Sequence, residues 1–182
     1  MKNRHLLSAL SMLLVLALIF PVYTFADSED GKNDFVRNKM NDMTLEEKIG
    51  QLFVVHVYGK TPTDPDYEQT NLDNDRGGKN FKEVIENYHV GGVIYFNWTD
   101  NIGMPVDTEQ VNALSNGLQD IAMDQRSEIP LFISTDQEGG IVQRVTSPGT
   151  VFPGNMALGA TRSEEMAADQ PVFWVRSKEP RY

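Results

Sequence analysis

The sequence predicts an α/β protein in which short parallel strands alternate with helices. Two observations carry the prediction. Apolar residues recur at helical spacing in three separate stretches. Each of those stretches is followed by a short apolar run rich in β-branched and aromatic residues, at 52–59, 93–96 and 131–135. Parallel strands need helical crossovers, so helix–strand alternation of this kind reads as a parallel sheet.

The first 26 residues stand apart. Lys2 and Arg4 precede an apolar run over 6–20 that is broken only by Ser8 and Ser11, and Thr24-Phe25-Ala26 follows with small residues where a signal peptidase reads. A cleaved signal peptide over 1–26, and hence a secreted or cell-wall-associated protein, is the expectation. The alternative is an uncleaved anchor, but the run is shorter than the ~20 residues a spanning helix needs. The chain contains no cysteine, which excludes both a lipid-anchored cysteine and a disulfide framework. There are 16 basic and 26 acidic residues, a net charge of −10. Removing the leader takes away two of the basic residues and no acid. Such a surface disfavours nucleic acid, whose phosphates need basic partners. It fits a solvated extracellular protein acting on a neutral ligand.

Beyond the leader, 27–37 reads as a polar, flexible N-terminus, although Phe35, Val36 and Met40 begin to recur at helical spacing. The domain proper is expected over 38–168. Thr44-Leu45-Glu46-Glu47 is a capping box that starts a helix carrying Leu45, Ile49 and Leu52. A first strand is expected over 52–59. The polar excursion from 60 to 80, with its Thr-Pro, Asp-Pro and Arg-Gly-Gly pairs, reads as a solvated rim longer than most connections. A second helix follows over 81–88, with Phe81, Val84, Ile85 and Tyr88 on one face. A second strand covers 93–96, and a loop runs from 97 to 105. Val111, Leu114, Leu118, Ile121 and Ala122 define a third helix. The third strand, 131–135, reads as buried and runs into Asp136-Gln137-Glu138-Gly139-Gly140, with Arg144 shortly after. In α/β proteins ligands sit at the carboxyl ends of strands, so Asp136 marks the candidate site. No dinucleotide-type glycine loop follows an early strand, which favours a (β/α) barrel over an open sheet.

Four motifs in order extend this reading. They are residues 43–52 (Met-Thr-Leu-Glu-Glu-Lys-Ile-Gly-Gln-Leu), 90–96 (Val-Gly-Gly-Val-Ile-Tyr-Phe), 130–144 with its Asp-Gln-Glu-Gly-Gly core, and 152–161 (Phe-Pro-Gly-Asn-Met-Ala-Leu-Gly-Ala-Thr). Together they resemble the N-terminal domain of family 3 glycoside hydrolases, in the β-N-acetylhexosaminidase branch, over roughly residues 38–166. The resemblance implies a TIM-type (β/α)8 barrel that removes terminal β-linked N-acetylhexosamine, as from cell-wall peptidoglycan, with retention through a covalent glycosyl-enzyme. It implies a carbohydrate substrate and no cofactor. Asp136 matches an acid that binds hydroxyls of the non-reducing sugar, and Arg144 matches an arginine lining the same subsite. A carboxylate can accept two hydroxyl bonds, and an arginine fork donates in a fixed plane. Gly139 and Gly140 would let the chain turn closely past a ligand.

The family's nucleophilic aspartate and its Lys-His…Gly-His-Gly loop lie downstream of the Met-Ala-Leu-Gly motif, and neither occurs in these 182 residues. The expectation is a truncated chain: three to four βα units of an incomplete barrel, short of the ~250 residues a full one uses. It would hold part of the substrate pocket, no catalytic residue, and a divergent tail over 169–182. Such a chain alone is expected to be inactive. The alternative is a non-catalytic saccharide-binding or partner-binding fragment, and open barrel edges would invite self-association.

Other readings of the candidate residues stay open. Asp136 and Glu138 could form a catalytic carboxylate pair, since glycosidases use two, but neighbours on one loop seldom bracket a sugar. Asp136 could also be purely structural, Glu138 could bond loop amides, and Arg144 could serve a structural salt bridge. His56 could face the barrel mouth or sit satisfied at a strand end. His56 and His89, without cysteines or ligand spacing, do not make a zinc site. The acidic stretch near Asn71, Asp73 and Asp75 fails the EF-hand pattern, since Arg76 stands where its glycine belongs and Lys82 where its glutamate belongs. Trp98 could stack on a sugar ring or pack in the core. Asn97-Trp98-Thr99 fits a glycosylation sequon, a pattern common by chance.

Overall fold

The computed structural model describes residues 29–147 and 149–168. The expected leader over 1–26 and the tail over 169–182 lie outside the described residues. Contacts divide the chain into two units, Met1–Lys39 and Met40–Tyr182. Among the described residues no helix is long and apolar enough to cross a membrane.

Helix α1, Glu29–Asp42, runs through most of the stretch read as a polar N-terminus. No proline interrupts it, so its backbone closes its own hydrogen bonds. The side chains of residues 33–38 are exposed, Phe35 and Val36 included. Helix α2, Leu45–Gly50, begins at the capping box. Glu47 N donates to Thr44 Oγ1 at 3.2 Å, and Thr44 N donates to Glu47 Oε2 at 2.7 Å. A Cβ on Gly50 would lie 2.0 Å from the Tyr88 carbonyl, so only glycine lets the end of α2 approach that backbone.

Three parallel strands follow in the order β1-β2-β3: β1 Val54–Val55, β2 Gly92–Tyr95 and β3 Phe132–Thr135. Val54, Gly92 and Phe132 stand in register, as do Val55, Val93 and Ile133. Between β1 and β2 lie a short 3-10 helix, Pro65–Tyr67, helix α3, Glu68–Asp73, and helix α4, Phe81–Tyr88. Helix α5, Thr108–Met123, joins β2 to β3. The parallel βα alternation expected from the sequence is therefore present.

β1 is much shorter than the expected 52–59. Past Val55 the backbone bonds leave the sheet. Tyr58 N donates to Asn71 Oδ1 at 2.8 Å, Gly59 N donates to the Thr99 carbonyl at 3.0 Å, and Asn101 Nδ2 donates to the Val57 carbonyl at 3.0 Å. The same bonds revise the excursion 60–80 from a solvated rim to a folded layer. Asn71, fully buried in α3, also donates to the carbonyls of Tyr58 and Lys79. A buried amide with all these partners fixes a segment whose composition reads as loop.

Odd-numbered strand positions point into the core. Val57, Val93 and Tyr95 pack with Phe81, Val84 and Ile85 of α4 and Leu114 and Leu118 of α5. Even-numbered positions point to the other face, which the helices leave open. There Val54 is 54% exposed and Phe132 79% exposed. Among the described residues β3 has a neighbour on one side only, so it is an edge strand and not the buried one expected. Tyr88, expected on the buried face of α4, is exposed in its last turn. After β3 the chain forms an antiparallel hairpin, β4 Gln137–Gly139 and β5 Val142–Gln143, and then helix α6, Asn155–Thr161.

Candidate functional site

The two-residue period of a strand determines which side chains can meet at the carboxyl ends. Carried past the strands, the even-numbered positions are His56 after β1, Phe96 after β2 and Asp136 after β3. The rings confirm the gathering. His56 lies 5.7 Å from Phe96, edge to face, and 5.0 Å from Trp98. Phe96 and Trp98 stack at 4.7 Å with their planes 20° apart, and Tyr58 meets Trp98 at 5.9 Å. Trp98 remains 52% exposed, so one aromatic surface faces solvent.

Arg144 ties this wall to Asp136. Its guanidinium carbon stands 5.5 Å from the Phe96 ring centroid, within cation–π range. Its Nη2 is 3.6 Å from Asp136 Oδ2. That separation is a loose ion pair, longer than a charge-assisted hydrogen bond. Arg144 Nε is buried and has no hydrogen-bond partner among the described residues. Two residues that sequence reasoning missed place the arginine. The Gln137 side chain accepts from Arg144 N and Val145 N at 3.0 Å each and donates to the Val145 carbonyl at 2.9 Å. Asn97 Nδ2 donates to the Arg144 carbonyl at 3.1 Å. Gln137 falls inside the Asp-Gln-Glu-Gly-Gly motif, which was the available signal; Asn97 had none beyond its sequon.

The remaining candidates divide. Glu138 is exposed on β4, and among the described residues no loop amide donates to its side chain. Gly139 and Gly140 have φ of +81° and +65°, conformations open to glycine. The surface they approach is the chain itself. Gly140 N donates to the Phe152 carbonyl at 2.9 Å, and a Cβ on Gly139 would lie 2.6 Å from the Pro153 carbonyl. The glycines therefore seat the hairpin on 152–154, where the sequence suggested close passage by a ligand. Thr99 is fully buried and Asn97 Nδ2 also donates to the Ile102 carbonyl at 3.2 Å, so the sequon residues hold the loop after β2.

His56 has a partner nothing in the sequence announced. Arg76, in the loop after α3, places Nη1 2.7 Å from His56 Nε2. Burial, reinforced by the Arg76 charge, holds the imidazole below its ordinary pKa of 6.5. At the outer rim the Tyr67 hydroxyl bonds Asp100, and that bond, with burial behind it, pushes Tyr67 up to about 12. Among the described residues no group of three or more histidines, aspartates and glutamates could hold a metal ion.

One carboxylate, one guanidinium and an open aromatic surface at strand ends suit a neutral polyhydroxylated ligand. The charged groups exchange hydrogen bonds with hydroxyls, and the rings cover apolar C–H faces.

The profile of the glycosyl hydrolase family 3 N-terminal domain matches residues 44–180. A curated relative, the beta-hexosaminidase A of Pseudoalteromonas piscicida, is 44% identical over 80 residues, covering 43% of this chain and 12% of that protein. Among solved structures, a glycoside hydrolase family 3 β-N-acetylglucosaminidase from Paenibacillus sp. str. FPU-7 superposes with a TM-score of 0.53 at 38% identity. That match covers 70% of this chain and 20% of that one. The matched stretches thus span a fifth or less of the length of these two proteins.

Proposed function

The chain belongs to glycosyl hydrolase family 3, through that family's N-terminal domain, and from this we propose that the mouth at Asp136 holds a terminal β-linked N-acetylhexosamine of a cell-wall-type glycan. The observation that carries the reading is the Asp136–Arg144 pair at the end of β3, set against the stacked rings of Phe96 and Trp98. Asp136 accepts from sugar hydroxyls, Arg144 donates to them, and Trp98 covers a sugar face. One relative is named a beta-hexosaminidase and the other a β-N-acetylglucosaminidase, which supports the choice of sugar.

In this reading the chain supplies substrate-binding residues of a retaining glycosidase. The family's nucleophile and acid/base loop are not matched among these 182 residues. The open even-numbered face of the sheet corresponds, in this reading, to the inner wall of a (β/α)8 barrel. Export by the leader over 1–26 belongs to the same proposal, and a mature protein beginning at Asp27 would support it.

Titration of the purified chain with N-acetylglucosamine tests the binding reading. Saturable binding, weakened about tenfold or more by Asp136→Ala, is expected, a loss of the size that follows removal of a charged hydrogen-bond partner. A folded chain that binds no sugar, or binds equally well without Asp136, overturns it. No turnover of an aryl N-acetylglucosaminide is expected; real turnover, lost in Asp136→Ala, would overturn that expectation.

A further inference from the structure

We propose that Arg76 is a positioning residue of this sugar site, fixing His56 as the tautomer whose Nδ1 carries the proton and so setting a hydrogen-bond donor in the aromatic wall. The inference rests on the sugar-binding reading above and adds residues it does not use. Its basis is the pairing of Arg76 Nη1 with His56 Nε2 at 2.7 Å. A guanidinium has donors only, so Nε2 must offer its lone pair. A neutral imidazole that accepts at Nε2 bears its hydrogen on Nδ1.

The pairing is held by the fold and does not hang from a mobile loop. Arg76 N donates to the Asn71 carbonyl at 3.0 Å, and the buried Asn71 side chain grips both backbone groups of Tyr58, two residues beyond His56. Arginine and imidazole therefore hang from one tethered unit. Around the ring stand Tyr58 from the same segment and Phe96 and Trp98 from the loop after β2, all edge to face. The titratable and charged groups set around His56 are thus Tyr58 and Arg76, with Arg144 across the Phe96 ring and paired to Asp136. A proton arriving at Nε2 would meet a cation and break the bond. The donor at Nδ1 suits an oxygen acceptor of the ligand, such as a hydroxyl or an acetamido carbonyl; protonation at Nε2 keeps that hydrogen but removes the Arg76 bond that orients the ring.

The test is nitrogen-15 NMR of the His56 imidazole in the full chain, with and without N-acetylglucosamine. The Nδ1–H tautomer is expected at neutral pH. In Arg76→Met the Nε2–H form should appear, and sugar affinity should fall roughly threefold to tenfold, the size of one hydrogen bond. Arg76→Lys, which keeps a donor, should restore part of both. Affinity should decline as pH falls through the His56 titration, and His56→Gln should flatten that decline. A wild-type ring protonated on Nε2, or an unchanged tautomer in Arg76→Met, overturns the inference while leaving Asp136-dependent binding intact. Absence of any sugar binding by the wild-type chain instead overturns the site reading beneath it. The wild-type spectrum decides the tautomer even if the variants do not fold.

Discussion

Arg126 closes on Glu47 across 79 residues of sequence, its Nε donating to Oε1 at 3.1 Å. The same carboxylate completes the capping box with Thr44, so one side chain starts a helix and clamps the end of α5 to it. Arg126 reaches further, donating through Nη1 to the Asp42 carbonyl at 2.8 Å. The Thr44 amide, with Arg126 behind it, outweighs burial and holds the Glu47 carboxyl below its ordinary 4.5. A carboxylate with a lowered folded pKa contributes stability that is complete above the unfolded value and lost as pH falls through the folded one. Arg126→Ala should cost ~1–2 kcal/mol, since it strips a buried carboxylate of a partner that is itself half exposed. Thr44→Ala should cost ~1 kcal/mol. Urea unfolding at pH 7 and at pH 3.5 checks both, and the Arg126→Ala penalty should shrink at the lower pH.

Asn71 is the keystone of the layer after β1. Asn71→Ala leaves Tyr58 N and two carbonyls without the fully buried amide that bonds all three. A loss of ~3 kcal/mol is expected, above the cost of one hydrogen bond because three backbone groups lose a partner together. Denaturant midpoints measure it. A loss below 1 kcal/mol would show that the layer does not depend on this amide.

Trp98 presents an open ring stacked on Phe96, the ring faced by the Arg144 that pairs with Asp136. Trp98→Ala should weaken N-acetylglucosamine binding about fivefold, the size of one aromatic contact. The tryptophan emission of the wild-type chain should change on saturation, and that response should vanish in Trp98→Phe. A titration followed by calorimetry and fluorescence separates the two effects.

Phe132 and Val54 stand in one register row on the open face, with only Gly92 between them. Bare apolar side chains beside an unpaired strand edge invite association. The chain should therefore self-associate as its concentration rises, and Phe132→Asp should shift it toward monomer in light scattering. A wild-type chain that stays monomeric across that range would show that the face is tolerated in water.

What the sequence determined by itself is the part of the molecule written in local chemistry. Thr44 and Glu47 sit three apart, so the capping box is complete within one turn. Gly92–Tyr95 is a continuous apolar run, and it forms the central strand. Asp136 follows β3 directly, and its place at a strand end needs no distant partner. Arg144 was legible as a residue, through its motif, but not the Gln137 and Asn97 bonds that aim it. Only the tertiary structure decided where β1 stops, because its later backbone groups bond Asn71, Thr99 and Asn101 from other loops. It also decided that β3 is an edge, that Gly139 and Gly140 seat the hairpin on 152–154, and that Arg76 meets His56. The physical reason is common to all of these. A cap or a strand period is settled by neighbours within a turn or two, whereas pairing, exposure and the partner of a long side chain depend on segments tens of residues away. Periodicity carries no record of which of those segments arrive.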